Sequence, residues 1–286
     1  MQQKTGRRIR IILPIIIVLM ALTGWIWWGN GALESTYYVV SSSRLPEAFD
    51  GYTIAHVSDL HNTQFGEASQ DLIQALQSAQ PDIIAITGDL VDSRHTDISV
   101  AVQFAREAAQ IAPVYYVSGN HEARIVEYAQ LKKQLLEAGV QVLEDQGVLL
   151  ERGGSALWLI GLDDPDFHLG ESTDGRLIKL LHQEFYTALL CHRPELIEVY
   201  AQNHVDLVLS GHAHGGQIRL PVVGGLIAPD QGLLPKYTEG IYQMGDTAME
   251  VSRGLGNSLF PFRVNNRPQL AFLTLQTAEP TDKPQS

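Results

Sequence analysis

The sequence contains a single cysteine among its 286 residues. Cys191 has no partner for an intramolecular disulfide bond, and a zinc site built from cysteine ligands is excluded. A metal site in this chain would have to use histidine, carboxylate or amide ligands. The lack of disulfide bonds does not identify a compartment, because exported proteins can fold without them.

Basic residues are also scarce, with 20 Lys and Arg against 32 Asp and Glu and a formal net charge of −12. Four of the basic residues precede Ile11, so the remainder has 16 basic against 32 acidic side chains. Such an acidic body argues against nucleic acid as a partner. Any phosphate that it binds must be attracted locally, by metal ions or by a few arginines.

One long stretch, Ile11 to Trp28, has no charged residue. Its length is near the lower limit for a helix that spans a bilayer, and Trp25 and Trp27 lie near its far end, where interfacial aromatic residues occur. The sequence predicts a single-pass anchor in the cell membrane, with the chain from about Gly29 onward extracytoplasmic. A cleaved signal peptide is the alternative, and the preceding arginines disfavour a buried core helix.

The sequence divides into four parts. They are a cytoplasmic basic tip and transmembrane anchor (1–30), a stalk with the first strand (31–43), a catalytic domain (44–277) and a tail predicted to be disordered (278–286). Within the catalytic domain, short apolar runs alternate with helical patterns such as Gln70 to Ala79 and Ala123 to Ala138. Strands that alternate with helices predict βαβ units, followed here by a strand-rich second half.

Five of the apolar runs are followed at once by side chains that can bind metal. These side chains lie in Asp59-Leu60-His61, Gly88-Asp89-Leu90-Val91-Asp92, Gly119-Asn120-His121-Glu122, Cys191-His192-Arg193 and Gly211-His212-Ala213-His214. Ligands of open α/β sheets bind at the carboxyl ends of the strands. We therefore expect these side chains, which are far apart in sequence, to converge in space.

The residue types indicate which metal could bind. Imidazole, carboxylate and amide ligands without thiolate suit Mn, Fe or Zn and argue against a calcium-only site. There are more potential ligands than one tetrahedral ion can use. The sequence thus predicts two divalent transition-metal ions, and Asp89, alone on its own strand end, is the natural bridging carboxylate.

The motifs D-L-H, G-D-L-V-D, G-N-H-E, a lone His and G-H-A-H, in this order, resemble those of the calcineurin-like metallophosphoesterases. The resemblance covers about residues 52–275. Details such as C-H-R-P-E and G-H-A-H-G-G-Q are most similar to the membrane-anchored bacterial YkuE-like subgroup. The fold that this implies is α/β: a four-layer α/β/β/α sandwich of two mixed β-sheets.

The resemblance also implies roles for individual residues. One ion would be held by Asp59, His61, Asp89 and His214, and the second by Asp89, Asn120, His192 and His212. His121 would approach the leaving group as general acid, with Asp92 holding its imidazole. Arg253 is our candidate for binding the substrate phosphate, because a guanidinium group matches phosphate geometry.

The implied activity is hydrolysis of a P–O bond in a phosphodiester or phosphomonoester by metal-activated hydroxide. A lipid-linked pyrophosphatase, such as a UDP-diacylglucosamine-type hydrolase, is the alternative. It would suit the membrane anchor and the apolar, Gly- and Pro-rich segment 220–240, which is either a packed loop or a wall of the substrate pocket. A metal-binding scaffold without turnover is the third possibility.

Overall fold

The computed structural model describes residues 2–257 and 260–279. The α-helices are α1 (Gln2–Gly31), α2 (Gln70–Ala79), α3 (Ile98–Ala108), α4 (Tyr128–Glu137), α5 (Thr173–Ile178) and α6 (Ile197–Gln202). Most of the tail that was predicted to be disordered, residues 280–286, lies outside the described residues.

Twelve of the described strands form two sheets of six strands each. The first nine of them are β1 (Glu34–Ser42), β2 (Thr53–Val57), β3 (Ile83–Thr87), β4 (Val114–Val117), β5 (Gln141–Val142), β6 (Gln146–Arg152), β7 (Ser155–Gly161), β8 (Tyr186–Leu190) and β9 (Leu207–Ser210). Four short strands follow, β10 (Arg219–Leu220), β11 (Gly224–Gly225), β12 (Ile227–Ala228) and β13 (Gly232–Leu233), and then β14 (Gly240–Met244), β15 (Thr247–Val251) and β16 (Gln269–Thr277).

The two large sheets are both mixed. The first has the order β1-β16-β2-β3-β4-β5 and the second β14-β15-β9-β8-β7-β6. In the first sheet, β2 to β5 are parallel to one another, and β16 runs antiparallel beside β2. In the second sheet, β7, β8, β9 and β15 are parallel to one another, and β6 and β14 run antiparallel at the two edges. The short strands form two separate hairpins, β10–β11 and β12–β13.

Three apolar clusters explain how the layers stack. Side chains from both sheets, for example Ile54, Ile83, Leu159 and Leu209, pack against each other between the sheets. A second cluster joins the outer face of the first sheet to α2, α3 and α4, and a third joins the second sheet to α5 and α6. These layers confirm the predicted four-layer α/β/β/α sandwich.

Burial on both faces accounts for the continuous apolar runs of the central strands. All five residues of β3 are buried, as expected for a strand with a helix layer on one side and the second sheet on the other. His56 of β2 points between the sheets, where its Nδ1 pairs with Glu250 of β15 and its Nε2 lies 2.7 Å from Thr87 Oγ1. It is thus a core residue whose polar atoms are satisfied.

Helix α1 contains the uncharged stretch. Its segment Leu13–Gly31 has a mean hydropathy of 1.6 and is not buried against the rest of the protein, so by length and composition it can cross a membrane. The helix passes directly into the first sheet, because only Ala32 and Leu33 separate it from β1. The first strand, which was placed within residues 31–43, runs from Glu34 to Ser42.

The predicted helix over residues 123–138 is wrong at its start. Glu122–Arg124 form a short 3₁₀ turn, Ile125 is extended, and α4 begins only at Tyr128. The interruption has a local cause, because the Glu122 side chain turns back to accept hydrogen bonds from the loops after β3 and β4. Helix α5 and strand β14 were not predicted from the sequence.

Candidate metal centre

The polar residues that follow the strands converge at one edge of the sandwich. Asp59 and His61 follow β2, Asp89 follows β3, Asn120 follows β4, His192 follows β8, and His212 and His214 follow β9. In one group, a potential ligand atom from each of Asp59, His61, Asp89 and His214 lies within 4.8 Å of the others. In the other group, the same is true of Asp89, His192 and His212. We call these groups the first cluster and the second cluster; they share Asp89.

The turns that carry these side chains have an unusual backbone. Asp59, His61, Asp89, His212 and His214 all have positive φ angles, between 45° and 67°. Non-glycine residues in this left-handed region are strained, and such strain concentrates at functional sites, where the surrounding structure holds it in place. The strained turns aim each side chain into the clusters immediately after its strand ends.

Close backbone packing holds the turns together. A Cβ atom at Gly211 would lie 1.8 Å from Ser58 Oγ and 2.4 Å from Asp59 Oδ2, so only glycine fits between the turns after β2 and β9. The backbone N–H of His212 donates to the Asp59 carboxylate, at 3.1 Å to Oδ2. The glycine of the G-H-A-H motif therefore sets the distance between two halves of the site.

The described residues leave several buried polar atoms without hydrogen-bond partners in and beside the clusters. These atoms are Nδ1 and Nε2 of His61, Oδ1 of Asn120 and Nδ1 of His214. Buried polar atoms in folded proteins are almost always satisfied. Lone pairs of imidazole and amide groups, gathered beside two buried carboxylates, fit bound cations, so the donor set is arranged to hold metal ions.

The second cluster is built differently, because its imidazoles are oriented by outer partners. His192 Nδ1 donates to the Thr87 carbonyl oxygen at 2.7 Å, which leaves Nε2 facing Asp89 Oδ2 at 3.2 Å. His212 Nε2 lies 2.8 Å from Asp230 Oδ2, and its Nδ1 faces His192. Outer carbonyl and carboxylate partners of this kind fix the ring orientation and the tautomer of metal-binding histidines.

The electrostatics are dominated by the carboxylates. Burial alone would lower the pKa of His192, but the Asp89 carboxylate outweighs it and raises that pKa to about 10. Burial alone would raise the pKa of Asp89, yet His192 holds it well below the usual range. The two opposite shifts show that positive charge is favoured beside the Asp89 carboxylate, and this is the charge that a bound cation would supply.

Glu122 is a structural part of the site that the sequence analysis left without a specific role. Its fully buried carboxylate accepts from the backbone N–H groups of Asp89 and Gly119, both at 2.8 Å. It thereby ties the turn of Asp89 to the turn of Asn120. Burial and the Asp89 carboxylate raise the pKa of Glu122 to about 7. Positive charge beside Asp89 would lower the pKa of Glu122.

His121 lies at the edge of the clusters, with Nε2 4.0 Å from Asp89 Oδ2. Its Nδ1 accepts from the Ser93 backbone N–H at 3.0 Å and lies 3.6 Å from Asp92 Oδ1. Asp92 is bound mainly to Arg94, with distances of 3.0 and 2.7 Å. Asp92 thus lies near the His121 ring, but Ser93 makes the closer contact.

A cleft of about 310 Å³ opens onto the clusters. The residues that line it are Asp89, Ser93, Arg94, Asn120, His121, Arg124, His212, His214, Pro229 and Asp230. Two arginines therefore border the cleft. The cationic side chains offset the carboxylates at the point where an anionic substrate would enter.

Arg253, the candidate for binding phosphate, lies elsewhere. Its guanidinium group pairs with Glu239 at 3.1 Å and with Glu34 at 2.8 Å. It lines a separate cavity of about 240 Å³ beside the end of α1, together with Trp25 and Trp28. Arg94 and Arg124 are also paired with carboxylates, of Asp92 and Asp166, but they border the metal cleft and are therefore better placed to meet a phosphate group.

Asp230 was missed by the sequence analysis. It lies in the turn between β12 and β13 and contacts both His212 and the Arg193 guanidinium. Arg193 is itself fixed by Asp164, with contacts of 2.6 and 2.9 Å. The only sequence signal was the position of Asp230 within the Gly- and Pro-rich segment, which does not reveal its spatial neighbours.

The comparisons with known proteins agree with this geometry. The calcineurin-like phosphoesterase family matches residues 52–216. The uncharacterized metallophosphoesterase YkuE of Bacillus subtilis (strain 168) is 31% identical over 250 residues, 86% of each chain. Phosphodiesterase YaeI of Escherichia coli (strain K12) is 30% identical over 234 residues, which cover 78% of this chain and 82% of YaeI.

A more distant relative is a transmembrane protein with a metallophosphoesterase domain from Bos taurus. It is 28% identical over 252 residues, which cover 82% of this chain and 55% of that protein. The extent of the family match, the identity to YkuE, and the Asp and His clusters at the strand ends lead to one conclusion. The chain belongs to the calcineurin-like phosphoesterase family and is a hydrolase with residues arranged to hold metal ions.

Proposed function

We propose that the protein is a dinuclear metal-dependent phosphoesterase that hydrolyses a P–O bond of a phosphodiester or phosphomonoester. The observation that carries this proposal is the pair of ligand clusters that share Asp89. One cluster would hold one ion through Asp59, His61 and His214 in addition to the shared carboxylate. The other would use His192 and His212, with Asn120 as a neutral oxygen ligand whose Oδ1 is buried and has no hydrogen-bond partner.

When bound, two divalent ions would supply positive charge that stabilises the transition state and activates water as the nucleophile. The nitrogen and oxygen donors suit Mn, Fe or Zn. The protein's own part is to fix the ligands before substrate arrives, through the strained turns, the Gly211 contact and the Glu122 bridge. Arg94 and Arg124 at the mouth of the cleft would orient the anionic phosphate group.

His121 is proposed as the proton donor to the leaving oxygen. The Ser93 N–H occupies its Nδ1 lone pair, so Nε2 carries the proton and borders the cleft. Burial lowers the pKa of His121 to about 4, so the ring needs the negative charge of bound phosphate to become cationic. In the cation, Nδ1 also carries a proton and no longer accepts from Ser93, and Asp92 Oδ1, 3.6 Å away, would accept that proton's hydrogen bond, which gives Asp92 a supporting role.

The membrane attachment is a proposal of its own. The segment Leu13–Gly31 would anchor the protein as a single span. Basic residues before this segment would remain in the cytoplasm, which places the catalytic domain outside. A phosphorylated small molecule or a lipid-linked substrate, rather than nucleic acid, suits the acidic body.

The second candidate is hydrolysis of a lipid-linked pyrophosphate. It is favoured by one observation: Pro229 and Asp230, which line the metal cleft, belong to a segment with exposed apolar side chains such as Leu233 and Leu234. The name of the relative YaeI favours the phosphodiester instead.

The experiment uses the full chain in detergent, stripped of metal and reloaded with Mn. Bis(p-nitrophenyl) phosphate and p-nitrophenyl phosphate are assayed side by side, and bound metal is counted. Asp89→Asn should lose both metal and turnover, whereas His121→Ala should keep the metal and lose about 10²- to 10⁴-fold in rate. Asp246→Asn, an exposed aspartate in a hairpin turn, is the matched control.

The outcomes separate the candidates. Turnover that persists in Asp89→Asn would contradict the dinuclear proposal. Two bound metal equivalents without turnover of either compound would favour the lipid-linked pyrophosphate or the scaffold without catalysis. The ratio of the diester rate to the monoester rate in the wild type shows whether the enzyme prefers phosphodiesters or phosphomonoesters.

A further inference from the structure

Two loops expose an unusual number of apolar side chains. Val222 is fully exposed, Leu233 is 79% exposed and Leu234 is 65% exposed in the two short hairpins. Phe260 and Phe262, in the loop before β16, are also exposed. Isolated apolar residues on a surface are ordinary, but a contiguous group marks a binding surface for protein or membrane.

The loop of Phe260 and Phe262 lies against the end of helix α1. The backbone N–H of Arg263, the next residue, donates to Asn30 Oδ1 at 2.6 Å, and Asn30 Nδ2 donates to the Arg263 carbonyl oxygen at 2.9 Å. Asn30 is the penultimate residue of α1. The two phenylalanines are therefore fixed beside the end of the apolar helix that can cross a membrane.

Hydrogen bonds connect the hairpins to the same loop. Gln217 Nε2 donates to the carbonyl oxygens of Phe260 and Phe262 at 3.2 and 3.1 Å, and the Arg219 N–H donates to the Val264 carbonyl oxygen at 3.0 Å. Leu226 joins the second hairpin to the first. Its backbone N–H donates to the Ile218 carbonyl oxygen, and its own carbonyl oxygen accepts from the Leu234 N–H. The segments that carry the exposed apolar side chains are thus hydrogen-bonded to one another and to the end of α1.

The chemistry around this surface suits a lipid bilayer. Trp28 of α1 lies under the Arg267 guanidinium at 5.2 Å, and amphipathic pairs of this kind favour the membrane–water interface. Residues 217–270 contain five basic and four acidic side chains, in contrast to the strongly acidic remainder after the anchor. The segment is thus close to neutral, and its exposed loops would meet less repulsion from anionic lipid headgroups than the acidic remainder of the protein.

We propose that the two hairpins (residues 219–234) and the Phe260–Phe262 loop form a second contact with the bilayer that α1 enters. We call residues 219–234 and 260–262 the docking surface. The inference rests on the proposed anchoring by α1. Its consequence concerns the metal cleft, because Pro229 and Asp230 in the turn of the second hairpin line that cleft. Contact of the docking surface with lipid places the cleft at the membrane surface.

The test uses the full chain in nanodiscs of phosphatidylethanolamine and phosphatidylglycerol that contain a nitroxide-labelled lipid. An environment-sensitive fluorophore is attached to Val222→Cys or Leu234→Cys. The native Cys191 should not react, because burial raises its pKa to about 12. Met20→Cys in α1 reports on the anchor, and Leu149→Cys, a partly exposed residue on the far edge strand β6, is the matched control.

We expect blue-shifted emission and nitroxide quenching at positions 20, 222 and 234, and neither effect at position 149. Quenching at position 20 without quenching at positions 222 and 234 would overturn the docking surface and leave the anchor intact. No quenching at position 20 would contradict the anchor itself. Blue-shifted emission at positions 222 and 234 without quenching would mean that another protein chain covers the surface, which also overturns the proposal.

A second variant guards against effects of the labels. Val222→Asp together with Leu234→Asp should abolish quenching of a fluorophore at Leu233→Cys, because charged side chains leave the apolar region of the bilayer. Both substituted side chains are exposed, so the melting temperature should not change beyond the usual effect of surface substitutions. Unchanged quenching at position 233 would contradict the proposal.

Discussion

The first and second clusters share Asp89 but hold their other ligands in different ways. In the first cluster, both nitrogens of His61 and Nδ1 of His214 are buried and have no hydrogen-bond partner. In the second cluster, Thr87 and Asp230 orient His192 and His212 by hydrogen bonds. The imidazoles of the first cluster are fixed by packing and by the strained turns, whereas those of the second depend on neighbouring polar groups.

This difference has a consequence for affinity. The side chains of both clusters are almost completely buried, and the cleft borders His214 of the first cluster as well as His212 of the second. The difference lies in the outer partner of the second cluster, because Asp230 is half exposed. We therefore expect the first position to retain its ion more firmly and the second to respond more readily to changes outside the cluster.

Among variants that separate the two clusters, the largest expected effect comes from His61→Ala, which removes an inner ligand of the first cluster only. We expect the loss of one metal equivalent and a fall in turnover of about 10³-fold, because the remaining charge stabilises the transition state less. Metal counting and steady-state assays measure both. His204→Asn, at an exposed histidine with a φ of 56°, is the control. Loss of both equivalents would mean that the two positions do not bind independently.

A smaller effect is expected for Asp230→Asn, which weakens the outer partner of His212. We expect the affinity for the second ion to fall about 10- to 100-fold, as is usual when such partners are lost. The affinity for the first ion should not change. Isothermal titration calorimetry on the metal-stripped full chain resolves the two events. An equal loss in both positions would contradict the distinction drawn between the clusters.

The smallest effect on binding, but a clear one on stability, is expected for Glu122→Gln. The carboxylate accepts from the N–H groups of Asp89 and Gly119 through one oxygen and lies 3.3 Å from the Val91 N–H through the other. An amide cannot accept on both sides, so the free energy of unfolding should fall by about 1–3 kcal/mol.

Chemical denaturation of the metal-free protein measures this loss, with the exposed Glu137→Gln as control. Stability equal to that of the wild type would mean that packing alone holds the two turns together. In that case Glu122 would not be needed to join the turn of Asp89 to that of Asn120.

Much of the fold followed from the sequence because each central strand is an apolar run that ends in a polar motif. β3 and the Gly88-Asp89 turn illustrate this. Burial on both faces requires apolar residues in β3, and the potential metal ligand Asp89 follows directly after the strand ends. The position of Asp89 at the site could be predicted from the sequence for the same reason. This part of the prediction used only apolar periodicity and the residues at strand ends, which can both be read from neighbouring positions in the sequence.

The rest depended on contacts between distant segments. Asp230 meets His212 and Arg193 only because the second hairpin folds back over the cleft. Glu122 interrupts a helical pattern to reach backbone groups after β3, and propensity could not reveal that. Arg253 matched a phosphate-binding residue by type, but Glu34 and Glu239 neutralise it in the folded protein.

The two-residue connection between α1 and β1 has a mechanical consequence. β1 pairs along its whole length with β16, the last strand among the described residues. An anchored protein built in this way cannot swing on a tether, so its height and tilt above the lipid are nearly constant. A substrate carried in the same bilayer would meet the enzyme by lateral diffusion in two dimensions. Inserting a flexible linker after Gly31 would exchange that planar search for a three-dimensional one.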